Sequence, residues 1–134
     1  LFFASTHASP LYPGTGHAHE RGRFGNILNA PLPPGADGAA WRRLMTAKIL
    51  PAIEAFEPQM LLISAGFDAH AEDPLAPLEL TEDDYRWAGE QIAALALRVC
   101  KGRVVSALEG GYSLDALTRS VRAYAGALTR GYAP

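Results

Sequence analysis

The sequence is short of the features that mark most specialised protein classes. Its single cysteine, Cys100, cannot form an internal disulfide or a cysteine-type zinc site by itself, and a lone Cys is expected to pack as a small apolar residue. No uninterrupted apolar run approaches the roughly 20 residues needed to cross a bilayer, and no basic-then-apolar leader opens the chain. Neither a membrane partner nor secretion is therefore expected, and a cytoplasmic location is the default. There is no run of Lys or Arg, and 12 basic residues against 14 acidic ones leave a net charge of −2, so no nucleic-acid footprint is predicted. A Walker-type lysine motif and a G-x-S-x-G elbow are both missing. Gly14-x-Gly16 is no dinucleotide fingerprint, because Pro13 stands where a strand should end and the third glycine is lacking. What remains is a chain of 134 residues, 49% hydrophobic and 19% charged, which reads as one globular domain's worth of sequence.

Three short apolar runs, at residues 1–6, 59–66 and 103–109, have the character of buried strands. Between them lie helical periods. Trp41, Leu44, Met45, Ile49, Ala52, Ile53 and Phe56 keep one face, and Pro58 ends that helix. A second helix is predicted from a Thr81 cap, with Tyr85, Ala88, Ile92, Leu95 and Val99 on its apolar side and a stop at Gly102. A third opens at Ser113 and carries Leu114, Leu117, Val121, Tyr124 and Leu128. Residues 8–38 read as an extended loop with one short extended piece at 26–30, and loops of that length are usually functional. The order of elements predicts an α/β fold with a mostly parallel sheet. Because the chain opens on Leu1 with a strand already in progress, it is expected to be a fragment of a longer protein. A sheet cut at one side exposes an edge and an apolar face, which favours self-association as a homo-oligomer or aggregation.

In parallel sheets ligands gather beyond the carboxyl ends of strands. The three expected exits are Ser5, Thr6 and His7; Gly66 to His70; and Gly110, Gly111 and Tyr112. Asp68 follows an apolar strand and a glycine, which suits a ligand for a cation such as zinc and equally a loop Asp that caps a neighbouring amide. His70 and Asp73 sit close enough in sequence to imitate a metal cluster, or to be solvated loop residues. A tyrosine phenol is protonated at neutral pH and can donate to a developing oxyanion, so Tyr112 is either that donor or simply a packed ring. His17-x-His19 is a weak metal candidate in an unstructured loop. From Asp68 to Glu90 eight acids face one base, Arg86. That stretch is either an acidic rim that attracts a cationic substrate or a solvated helix start favoured by the dipole.

Taken together, STHASPLYPGTG, LLISAGFDAHAEDPLAPLELTEDDY and VVSALEGGYSLDALTRSVRAY resemble, in order and spacing, the C-terminal part of the zinc-dependent histone deacetylase and acetylpolyamine amidohydrolase family, in its class II-like or bacterial branch. The resemblance implies a three-layer fold of the arginase/deacetylase type, with residues 1–134 as the C-terminal part of one such domain. It makes Asp68 the third zinc ligand and Tyr112 the catalytic residue that steadies the tetrahedral intermediate. Gly110 and Gly111 would let the acyl chain pass, Tyr12 would be an aromatic wall of the substrate tunnel, and Pro74 and Leu75 its rim. Ser5, and Thr6 through its carbonyl, would help hold a structural potassium ion.

In relatives the other two zinc ligands, an Asp-x-His pair, and the acid-base histidines precede this stretch, and they are absent here. The implied activity is zinc-assisted hydrolysis of an N-acetyl amide of lysine or a polyamine, with release of acetate, in the complete protein and not in these residues alone. Two other readings stay open: a degenerate homologue serving as a binding module, and a ureohydrolase-like metallohydrolase.

Overall fold

The structure is a computed structural model and describes residues 1–75 and 77–131. Its elements run β1 (Phe3–Ala8), β2 (Ile27–Leu32), α1 (Gly38–Leu44), a π-helical segment (Met45–Ile49), α2 (Leu50–Phe56), β3 (Leu61–Ala65), α3 (Glu82–Cys100), β4 (Val104–Leu108) and α4 (Leu114–Arg130). β1 pairs with β2 in parallel from Phe3↔Ile27 to Ala8↔Leu32, and β3 pairs with β4 in parallel from Leu61↔Val104 to Ala65↔Leu108. The predicted α/β class and parallel pairing are both found.

Two sequence expectations needed correction. The 26–30 piece is a full strand, Ile27–Leu32, despite Pro31 within it; proline lacks an amide hydrogen and sits in strands where that donor is not needed, as on an edge. β1 also runs on to Ala8, so Ser5, Thr6 and His7 lie inside the strand and not at its exit.

The first helical stretch is continuous in direction but widens at Met45–Ile49. Pro51 follows at once, and a proline ring would clash with the carbonyl four residues back in an ordinary turn, which the wider turn avoids. Glu57, left-handed at φ 51°, closes α2 just before Pro58. α3 starts at Thr81, whose amide (2.8 Å) and hydroxyl (3.0 Å) both donate to Asp84. It ends at Lys101, also left-handed, one residue before the expected Gly102, whose amide reaches back to Ala96 O at 2.9 Å.

The core gathers apolar side chains from every layer, among them Leu32, Trp41, Ile49, Phe67, Leu80, Ile92 and Tyr124. Phe67, just after β3, lies against Tyr85 of α3 (ring centroids 4.9 Å) and Tyr124 of α4 (5.7 Å), which seats the β3 exit between two helices. α3 and α4 approach closely at Gly89, where a Cβ would meet Ala127 Cβ at 3.0 Å. One face of β3 and β4 is bare: Leu62 and its register partner Val105 are 71% and 54% exposed.

Candidate active site

The segment after β3 and the segment after β4 are brought together. Phe67 N–H donates to Gly110 O at 2.8 Å, and Glu109 N–H donates to Ala65 O at 3.1 Å. The Asp68 carboxylate fills the space that a side chain on Gly110 would take: a Cβ there would lie 2.8 Å from both Asp68 Cγ and Oδ2. A Cβ on Gly66 would lie 2.9 Å from Asp68 Oδ1. Gly111 adopts φ +133°, a region open mainly to glycine, and a Cβ on it would stand 2.7 Å from Leu117. Thus Asp68, Gly110, Gly111 and Tyr112 form one neighbourhood, with Pro74 and Leu75 joined to it through Asp73. Tyr112 is 54% exposed.

Burial raises the Asp68 carboxyl above the usual carboxylate range; its own amide hydrogen bond opposes this, and the negative charge of Asp73 adds to it. Among the described residues no Lys, Arg or His side chain makes an ion pair with Asp68. A half-buried carboxylate with glycines on two sides and, among the described residues, no internal counter-charge suits one ligand position of a metal cation. Among the described residues no group of three or more His, Cys, Asp or Glu could hold a metal.

His70 is buried and Asp73 half-buried, and neither joins Asp68 in a group of three that could hold a metal. His70 is 3% exposed; its Nδ1 accepts Glu72 N–H at 3.0 Å, which leaves the proton on Nε2, 3.5 Å from Glu82 Oε2. Asp73 accepts backbone amides from both segments: Leu75 at 3.0 Å, Tyr112 at 2.7 Å and Ser113 at 3.4 Å.

The acidic stretch is largely consumed by such bonds. Arg119 of α4 bridges Glu72, at 2.7 Å, and Glu82. Arg42 binds Asp84 at 2.7 Å, and Arg86 binds Asp83 at 2.5 Å. Apart from the Asp83–Arg86 pair, three residues apart, these tethers span 37 to 47 residues, and nothing in the local sequence announced them.

The Arg119 hydrogen bond, aided by the Glu82 amide and by His70 and opposed by burial, holds the Glu82 carboxyl at about 2 against an ordinary 4.5. A carboxyl lowered on folding contributes stability above its unfolded value and loses it as pH falls through its folded one. Glu82→Gln is therefore expected to cost at most about 1 kcal/mol at pH 7, since the pair is partly exposed, with the gap to wild type closing between about pH 5 and 2. Denaturant unfolding of the intact protein across that range checks this, and a gap independent of pH would refute it.

The residues of the first expected exit have partners of their own. Ser5 Oγ bonds His7 Nδ1 at 2.9 Å, His7 Nε2–H donates to Gly16 O at 3.0 Å, and Thr6 Oγ1 accepts from Trp41 Nε1 at 3.0 Å. Both hydroxyls are thus engaged with protein partners. Tyr12, 94% exposed, edges a cavity of about 390 Å³ shared with Phe3, His7, Glu20 and Asn29, and neither Asp68 nor Tyr112 lines that cavity. His17 and His19 stack ring on ring at 5.4 Å.

The family model of the Histone deacetylase domain matches residues 1–128. The chain belongs to the histone deacetylase family. It is 44% identical over 124 residues to "Histone deacetylase 10, chloroplastic" of Oryza sativa subsp. japonica, covering 90% of this chain and 28% of that protein. It is 42% identical over 118 residues to a "Probable deacetylase" of Archaeoglobus fulgidus, covering 86% and 33%. The crystal structure of an acetylpolyamine aminohydrolase from Burkholderia pseudomallei superposes with a TM-score of 0.85 at 31% identity, over 95% of this chain and 37% of that one. The fold is accordingly the family's three-layer α/β arrangement, and the chain spans about a third of the length of these relatives.

Proposed function

We propose that these residues are the C-terminal part of a single deacetylase-like domain whose complete form hydrolyses an N-acetyl amide, releasing acetate and an amine. One observation carries the reading: in a chain of this family, the Asp68 carboxylate occupies the gap left by Gly110, two residues before Tyr112. Asp68 would supply one zinc ligand. The chemistry a bound zinc supplies is polarisation of the acyl carbonyl and acidification of a water. Asp68 holds its carboxylate where Gly66 and Gly110 leave room. The Tyr112 hydroxyl donates to the carbonyl oxygen as it gains negative charge. Pro74 and Leu75 edge the approach.

The names carried by the relatives support an acetylated amine as substrate, either acetyl-lysine or an acetylpolyamine. The tethering of most of the 68–90 acids by arginines and backbone amides argues against a broad acidic rim as the basis of choice between them.

The test is acetate release by the intact protein from an acetyl-lysine peptide and from an acetylpolyamine. Release that stops on chelation and returns with zinc is expected. Release indifferent to chelation would remove the metal from the reading, and no release from either substrate would leave the binding-module alternative.

A further inference from the structure

We infer that Asp73 is a positioning residue for Tyr112: a single carboxylate, five residues beyond Asp68, fixes the backbone from which the phenol projects. The inference rests on the reading of Tyr112 as oxyanion donor.

The residues before Tyr112 are two glycines, one of them at φ +133°, so the chain there has little stiffness of its own. The Tyr112 side chain is largely exposed, and among the described residues its hydroxyl makes no hydrogen bond that would anchor the ring. Nor does Ser113, at the start of α4, cap that helix with its side chain. The anchor is supplied from 39 residues away, where Asp73 Oδ2 accepts the amides of Tyr112 (2.7 Å) and Ser113 (3.4 Å). Hydrogen bonds to an ionised acceptor are short and strong, and the amides opening a helix favour negative charge. Asp73 Oδ1 meanwhile accepts Leu75 N–H at 3.0 Å, which braces the carboxylate from its own loop. The phenol's position is thereby referred to the segment that carries Asp68.

The fold itself has other fastenings across the same boundary. Phe67 N–H binds Gly110 O, and Arg119 holds Glu72 and Glu82. Losing Asp73 should therefore loosen the phenol without unfolding the protein.

The test is Asp73→Asn, with Asp73→Ala beside it, made in the intact zinc-loaded protein with and without Tyr112→Phe. A displaced catalytic group costs turnover much more than substrate binding, so kcat is expected to fall about 10- to 100-fold with KM and zinc content little changed. Because Asp73 acts through Tyr112, adding Asp73→Asn to Tyr112→Phe should cost nothing further. Losses that multiply in the double variant, zinc lost from Asp73→Asn, unchanged turnover, or a collapsed fold in that near-isosteric variant would each overturn the positioning role. Full turnover in Tyr112→Phe alone would instead sink the functional reading and take this inference with it. A damaged Tyr112→Phe enzyme beside a normal Asp73→Asn enzyme sinks only the inference.

Discussion

Tyr112→Phe in the intact, zinc-loaded protein is expected to lower turnover by about 10²- to 10³-fold, the usual cost of removing one donor from a developing oxyanion. The change deletes a single oxygen. Among the described residues that oxygen bonds to nothing, and the ring is half exposed, so stability should stay within about 0.5 kcal/mol of wild type. Zinc content should be unaffected, because the carboxylate held against Gly110 belongs to Asp68 and not to the Tyr112 side chain. Steady-state kinetics with metal analysis decides the matter: unaltered kcat removes Tyr112 from the chemistry, and a loss that tracks lost zinc reassigns it to the metal.

The second large effect concerns the metal. Asp68→Ala removes the ligand and should abolish zinc retention on dialysis together with hydrolysis. Gly110→Ala reaches the same carboxylate from the other side. Its methyl would stand 2.8 Å from Asp68 Cγ, and what must yield is a side chain rather than backbone, so the fold should survive while the ligand is pushed aside. Zinc affinity is expected to fall about 10- to 100-fold, the range seen when groups that orient a ligand are altered. Excess zinc should then restore part of the activity in Gly110→Ala and none in Asp68→Ala. Normal zinc binding in Gly110→Ala would show that the carboxylate's place beside that glycine is not its metal-binding position.

Much of this arrangement was legible in the sequence because it is written locally. The apolar runs became β1, β3 and β4, and the three helical periods became helical stretches closing at Phe56, at Cys100 just short of the expected Gly102, and at Arg130. β2 was harder to read: Asn29 and Pro31 interrupt the strand pattern of ILNAPL, and only pairing with β1 makes it a strand. The same division holds for the site. Asp68, Gly110, Gly111 and Tyr112 are conspicuous by type and by position after a strand, but those cues left Asp68 as ligand or cap and Tyr112 as donor or packed ring, and the family resemblance supplied the choice. The roles of Asp73, Glu72, Glu82 and Arg119 depend on partners 37 to 47 residues away, a distance over which no periodicity or spacing carries information.

The wide turn at Met45–Ile49 bears on how this helix tolerates changes of length. Each residue of an α-helix advances the winding by about 100°. The π-helical turn already holds one residue more than an ordinary turn, so deleting one between 45 and 49 would close it to an α-turn with Ile53 still facing the core, at the cost of bringing the Pro51 ring against the carbonyl four residues back. Point substitutions on the outer side of that helix should pass almost unnoticed, whereas a single-codon loss within it should be felt locally at Pro51, and replacing that proline should make the shorter helix tolerable.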